Sequence, residues 1–322
     1  MIRRTQDYFR NTFVSASTPD KSFFALDLEE CAGLSIPTFK TFYGSGGEVY
    51  KSDDHDYTDG NVSGDDRLTG NWDYYIYLDA STRDLDLQTW GAPCAVDQLG
   101  RPMAGRVWVN LSEVDTLDHE DMWRNILRSM INALGFHAST YEYWVDNSGT
   151  SNTAWNSAVT TDEVNMPYIK DTARGKAVYE INTTKALAAA QAHFDCDTLD
   201  GIELEYSGDW AVPGSLWDKR IMFNDVMTAG IDSEPAILSS ITMAAMEDTG
   251  WYTINSKYTY TERLTWGKDK GCTFFEAPCV SCTGGASFDE FCDDFTVTSR
   301  CTHEALNKGT CTLKRYPHLI PF

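Results

Sequence analysis

Few side chains in this sequence are spaced for catalysis or metal binding. A zinc-dependent peptidase needs two histidines one helical turn apart with a glutamate beside the first. Both imidazoles then face the ion, and the carboxylate polarises its bound water. His119-Glu120-Asp121-Met122-Trp123 opens that pattern and then fails it, because no second histidine follows. His119, and His137 beyond it, read more simply as solvated or core imidazoles. Cys279-x-x-Cys282 has the spacing of half a zinc ribbon, but no second such pair accompanies it. A disulfide is the commoner state of such cysteines in a secreted module. Asp53, Asp54, Asp56 and Asp59 could hold calcium through clustered carboxylates. They lack the spacing of an EF-hand loop and read first as a solvated charge run. The expected cofactor is therefore none: no zinc, with calcium as the weaker alternative. No nucleophile stands with a matching base.

The elements that would position these residues begin with a helix over 117–134. Leu117, Trp123, Ile126, Leu127, Met130, Ile131 and Leu134 recur there at three- and four-residue steps. Thr116 suits its N-cap and Gly135 the left-handed turn at its end. An Ala-rich helix is expected over 185–194, after the cap candidates Asn182 to Thr184. A third is expected over 235–249, with Pro235 in its first turn and Gly250 at its end. Asp73–Leu78 and Gly105–Asn110 read as strands, dense in β-branched and aromatic residues. Residues 1–15 suggest a short helix, 45–70 an exposed Gly- and Asp-rich excursion, and 137–180 an irregular polar stretch.

The chain of 322 residues carries ten Trp, sixteen Tyr and fifteen Phe, too many aromatics for a disordered protein. Its net charge of -22 repels phosphate backbones and argues against a nucleic-acid partner. Nine cysteines, five of them between Cys279 and Cys311, point to a disulfide-stapled module in an oxidising compartment. Sequons at Asn61, Asn110 and Asn182 fit a secreted or surface glycoprotein. No apolar run reaches the ~18 residues a membrane span needs. MIRRTQDYFRNTFV has no apolar core of the secretory kind, so a secreted protein would have this sequence in mature or trimmed form.

The segment ILRSMINALGFH carries a further pattern, together with PGSLWDKR and NDVMTAG downstream. It resembles the leishmanolysin family of metzincin peptidases. There a His-Glu pair, two apolar residues, His and then ALGF are followed, after a long insertion, by a third His and a Met-turn. Ala133, Leu134, Gly135 and Phe136 match, and Met227 keeps the Met-turn position. Arg128 stands at the first ligand position, Ser129 at the catalytic glutamate, Asn132 at the second ligand and Leu216 at the third. EECAGLSIP, DYYIYL, CAVDQLGRPMAGRVWVN, AQAHFDCDTLDGIELE, ITMAAMEDTGWY, WGKDKGC, FCDDFTVTSRC and YPHLIP follow the family's order, so the resemblance covers nearly the whole chain.

The resemblance implies an α+β, metzincin-like fold: a mixed twisted sheet behind the long former-ligand helix, a helical central part and a disulfide-rich C-terminal module. The parts are expected at 1–150, 151–275 and 276–322, with the cleft between the first two. It also implies disulfides Cys31–Cys94, Cys196–Cys272 and Cys292–Cys311. Cys279, Cys282 and Cys301 stay open, as does whether the chain is a fragment of a longer product. A guanidinium has no lone pair to give, leucine has no ligand atom, and an asparagine oxygen suits hard cations better than zinc. The expectation is a degenerate pseudopeptidase. Arg128 would be costly to bury unpaired, and Asp225 is its first candidate partner, an ion pair in place of the metal.

The function expected is that of an extracellular, non-catalytic component of a surface coat, matrix or filament. Its partners would be other proteins or copies of itself, with a membrane reached only through an anchor or a partner. A peptide-binding receptor or decoy is the alternative, and a zinc endopeptidase with unrecognised ligands the second alternative.

Overall fold

The computed structural model describes residues 13–15, 23–25, 74–82, 88–97, 100–112, 119–144, 179–205, 214–230, 235–255, 264–277, 288–292, 294, 296, 299–303 and 308–311. The chain divides into two compact units, 1–152 with 249–259, and 153–248 with 260–322. Residues 249–259 thus group with the N-terminal part, and 276–322 groups with 153–248, where the sequence suggests three consecutive blocks.

In the first unit β1 (Phe13–Ser15) pairs antiparallel with β8 (Tyr252–Ile254), which explains why 249–259 belongs there. Residues 13–15 are therefore strand rather than the end of a helix. The main sheet holds β2 (Phe23–Ala25), β3 (Tyr75–Ser81), β4 (Thr89–Asp97) and β5 (Pro102–Asn110), in the order β2-β4-β5-β3. β3 runs parallel to β5, and the other pairings are antiparallel. The register of β4 on β5 shifts between Pro93 and Val96, where a proline has no N–H to give the ladder. β4 goes unrecognised in the sequence because TWGAPCAVD mixes Gly, Ala and Pro with few β-formers.

Helix α1 (His119–Ala133) lies on β4 and β5. The approach is so close that two glycines are required. A Cβ at Gly91 would stand 1.8 Å from the Ser129 carbonyl oxygen, and one at Gly105 would stand 2.9 Å from the Ala133 Cβ. The two share a sheet face, since Gly91 pairs with Val107 and Gly105 lies two residues before it. Arg106 and Trp108 point to the other face, where Arg106 pairs with Asp79 and lies 5.3 Å from the Trp90 ring centre. Trp90 and Trp108 stack there at 6.1 Å.

Helix α1 ends at Gly135, whose φ of 120° suits glycine and whose missing side chain leaves room for Trp251, 2.6 Å from where a Cβ would sit. A 3-10 turn, Ala138–Tyr143, follows and buries Tyr141, with Trp144 buried just after it. The stretch expected to be irregular thus begins as an ordered corner.

In the second unit β6 (Tyr179–Ile181) pairs antiparallel with β7 (Ile202–Leu204), and α2 (Thr184–Phe194) lies between them in sequence. The short α3 (Lys219–Met222) follows, then α4 (Ser240–Asp248), which packs on α2. Helix α4 starts later than expected because 235–237 is extended. Val226 donates to the Ile237 carbonyl and Ile237 to that of Asn224, and the Ser239 hydroxyl then accepts from Thr242 N at 3.1 Å as the helix begins. Pro235 precedes that bridge and is not in the helix. The N-terminus of α2 takes no side-chain cap from Thr183; the Asp248 carboxylate accepts from the N–H of Lys185 and Ala186 at 2.8 and 2.9 Å. After β8 come α5 (Thr273–Glu276) and the pair β9 (Arg300–Cys301) and β10 (Lys308–Gly309).

Gly91→Ala is expected to destabilise the protein by about 1–3 kcal/mol or more, since the methyl meets backbone that cannot swing aside. Gly309→Ala, whose methyl would meet nothing nearer than 3.4 Å, is the mild comparison. Chemical denaturation of the two variants measures the difference.

Candidate functional site

On α1, Arg128 and Ser129, at two of the positions aligned with the metal-binding motif, hydrogen-bond to other residues. Ser129 is 2% exposed, and its hydroxyl donates to Thr89 Oγ1 at 2.8 Å. Thr89 Oγ1 donates in turn to the Asn125 carbonyl at 3.0 Å. This hydroxyl chain fastens the helix to β4 beside Gly91. Arg128 is half-buried and donates from Nη2 to Asn125 Oδ1 at 2.7 Å, one turn back on the same helix. Because a guanidinium only donates, the Asn125 carboxamide must turn its oxygen towards Arg128. Asn132 is buried on the next turn.

In the second unit Leu216 is half-buried, and its carbonyl accepts from Glu205 N at 2.9 Å. Trp217 N donates to the carbonyl of Met227, which is fully buried. The turn around Met227 is built on Asp225. Its Oδ1 accepts from Met227 N at 2.7 Å, and its Oδ2 from Ser239 N at 3.1 Å and Thr242 Oγ1 at 2.8 Å. Thr242 Oγ1 also accepts from Trp217 Nε1 at 2.8 Å, so indole, hydroxyl and carboxylate form one buried chain. Burial pushes the Asp225 carboxyl above its ordinary pKa, against the lowering effect of Ser239, Met227 and Thr242. The sequence suggests Asp225 as a partner for a cation; three of its donors belong to its own turn and to the start of α4.

These residues do not fit a zinc ion. Zinc takes thiolate, imidazole and carboxylate donors. Arg128 offers only N–H groups, Leu216 offers no donor atom, and the Ser129 hydroxyl is spent on Thr89. The motif positions therefore supply no route to chemistry through that metal.

The other expected sites fall out unevenly. His119 and Glu120 are the first two residues of α1. Asp53, Asp54, Asp56, Asp59, Asn61, Cys31, Cys279 and Cys282 lie outside the described residues. Cys196 is bonded to Cys272 and Cys292 to Cys311, closing loops of 76 and 19 residues in a way that restricts the unfolded chain. Cys94 is disulfide-bonded, and Cys301 is an exposed free thiol. Asn182 is half-buried. Asn110 ends β5 fully buried, with Oδ1 accepting from Ser112 N and Oγ, surroundings that disfavour a glycan there. Sequence reasoning missed Thr89, Gly91, Thr242 and Asp248, since each acts across a contact that no local motif announces.

The family model for leishmanolysin matches residues 60–322. The leishmanolysin-like peptidase of Drosophila pseudoobscura pseudoobscura is 30% identical over 257 residues, which cover 69% of this chain and 36% of that protein. The leishmanolysin of Leishmania chagasi is 25% identical over 252 residues, covering 78% and 38%. The leishmanolysin homolog of Crithidia fasciculata is 28% identical over 251 residues, covering 78% and 35%. The chain thus spans little more than a third of the length of these relatives.

Asp225→Ala is expected to cost about 3 kcal/mol, because it strands buried donors on three sides. A double-mutant cycle with Arg128→Met reads the expected ion pair: a coupling of about 1 kcal/mol or more supports it, and one near zero leaves Asp225 to its own turn. Glycopeptide mass spectrometry of protein secreted from a eukaryotic host is expected to find Asn110 unmodified.

Proposed function

This chain belongs to the leishmanolysin family, and we propose that it acts there as a non-catalytic member, working through contacts with other proteins at the cell surface or outside the cell. The observation that carries the reading is the side-chain set at the motif positions. Where the family's motif has two helix-borne ligands and a general base, this chain has Arg128, Asn132 and Ser129, and at the third ligand position it has Leu216. Peptide hydrolysis by this mechanism needs an ion to polarise the carbonyl and a carboxylate to activate water. Ser129 is aimed at Thr89 in the sheet and can do neither.

The place in a coat, matrix or filament is the reading that the remaining features favour. The unit that holds the C-terminal residues is fastened by Cys196–Cys272 and Cys292–Cys311, bonds that persist in oxidising surroundings. A net charge of -22 keeps the surface soluble and turns away nucleic acid. The partners proposed are surface or extracellular proteins or further copies of this chain. Arg128 paired with Asp225 belongs to the same proposal, as a cross-link in place of a metal.

A peptide-binding receptor is the second reading, and β3 favours it. Among the described residues it pairs with β5 alone, and it carries Leu78 at 45% exposure. A sheet edge of this kind can accept an extended peptide as a further strand.

Metal analysis by mass spectrometry on the purified native protein, run beside a broad peptide-cleavage assay, tests the proposal. The expected result is no stoichiometric zinc and no cleavage. Zinc at one per chain with cleavage overturns it and demands ligands other than these. Binding of unstructured peptides without cleavage moves the second reading ahead of the first.

A further inference from the structure

We propose that His137 is an acid-sensitive latch holding the 138–143 turn against the end of helix α1. The imidazole is 1% exposed and stands at the N-cap of the 3-10 turn. Its Nδ1 accepts from the backbone N–H of Ser139 at 3.2 Å and lies 2.8 Å from Ser139 Oγ. An Nδ1 that accepts from a backbone N–H must be unprotonated, which puts the ring's one proton on Nε2. That Nε2 is buried without a hydrogen-bond partner. The latch is therefore set for one protonation state.

A second proton must go to Nδ1, the atom that caps the turn. The cap then becomes a donor pointed at another donor, the Ser139 N–H. Only Ser139 Oγ remains to accept, and the cation sits in an apolar pocket with its Nε2–H still unpartnered. Burial alone holds the imidazole down, to about 4. Among the described side chains, the titratable and charged groups on the elements around this corner are Tyr141 and Tyr143 on the turn, Tyr74 at the end of α1, Tyr252 on β8, and Arg101 and Asp97 beside the β4–β5 connection. Tyr252 donates to the Leu134 carbonyl, and Arg101 lies 5.9 Å from the Tyr252 ring centre. None of them enters the balance at His137.

The turn is worth latching because it closes the helix end. Thr140 Oγ1 donates to the carbonyls of Gly135 and His137, and Trp144 Nε1 donates to the Gly135 carbonyl at 3.2 Å. Phe136, Tyr141 and Trp144 pack edge to face, with Tyr141 and Trp144 centred 5.0 Å apart. Releasing His137 loosens this aromatic corner together with the last carbonyls of α1.

The sign follows from linkage. The imidazole in the docked turn titrates lower than in an open one, so the open form binds protons more tightly between about 4 and 6.5. Docking is at full strength above about 6.5 and weakens as the pH falls towards 4. Hydrogen exchange on peptides covering 134–144, normalised to intrinsic rates, tests this on the whole chain. From pH 7 to pH 5 the protection is expected to fall about twenty-fold. In His137→Asn, which keeps a capping acceptor and cannot titrate, it is expected to change less than about three-fold. Equal losses in both proteins, or no loss in the wild type, overturn the proposal. Should His137→Asn fail to fold, NMR of the wild type decides the matter. The His137 ring must titrate near 4 together with the Ser139 amide, and titration near 6.5 would refute the latch.

Discussion

Helix α1 rests so close to its sheet that Gly91 and Gly105 leave no room for a Cβ, and most of the first unit follows from that contact. A backbone carbonyl pressed against a strand fixes the helix in height and rotation. Ser129 and Ala133 must face the sheet, so Arg128 is turned away from it by the helical step. The Ser129–Thr89–Asn125 hydroxyl chain then locks that rotation, since each hydroxyl can satisfy its partner only in this register. Interiors are packed too tightly to absorb a change there cheaply.

The side chains at the motif positions are held by neighbours close to that contact. A metal site contributes stability through its ligands, and losing them strands polar groups unless neighbours accept them. On α1 the Asn125 carboxamide takes up Arg128 and the Thr89 hydroxyl takes up Ser129. In the second unit Asp225 fixes the turn of Met227 from its own side, through Ser239 and Thr242. Arg128, Ser129 and Asp225 are thus each paired with groups close to them.

Polar groups serve as fasteners elsewhere too. Asp248 caps α2 from the end of α4, so two helices far apart in sequence share one carboxylate. Burial raises its pKa while the Ala186 and Lys185 N–H groups lower it, the balance also seen at Asp225. In both places a carboxylate withdrawn from solvent, wholly at Asp225 and partly at Asp248, is tolerated because backbone N–H groups, already fixed by a helix end or a tight turn, point at it.

The sequence by itself determined the helix of α1, its glycine stop at Gly135, the family order of the motifs, and the residue types that stand where ligands would be. These are local facts: a three-to-four-residue apolar rhythm and a positive φ are written in neighbouring residues. Only the tertiary structure decided that Ser129 faces Thr89, that Asp225 caps its own turn and the start of α4, that Asp248 rather than Thr183 caps α2, that residues 235–237 are extended, and that Asn110 is buried. Each of these depends on a partner or a packing contact outside the local stretch, and the stabilisation from pairing a buried polar group exceeds the propensities that local reading uses. β4 was lost for a related reason, because its small residues are chosen to admit a helix and not to favour a strand.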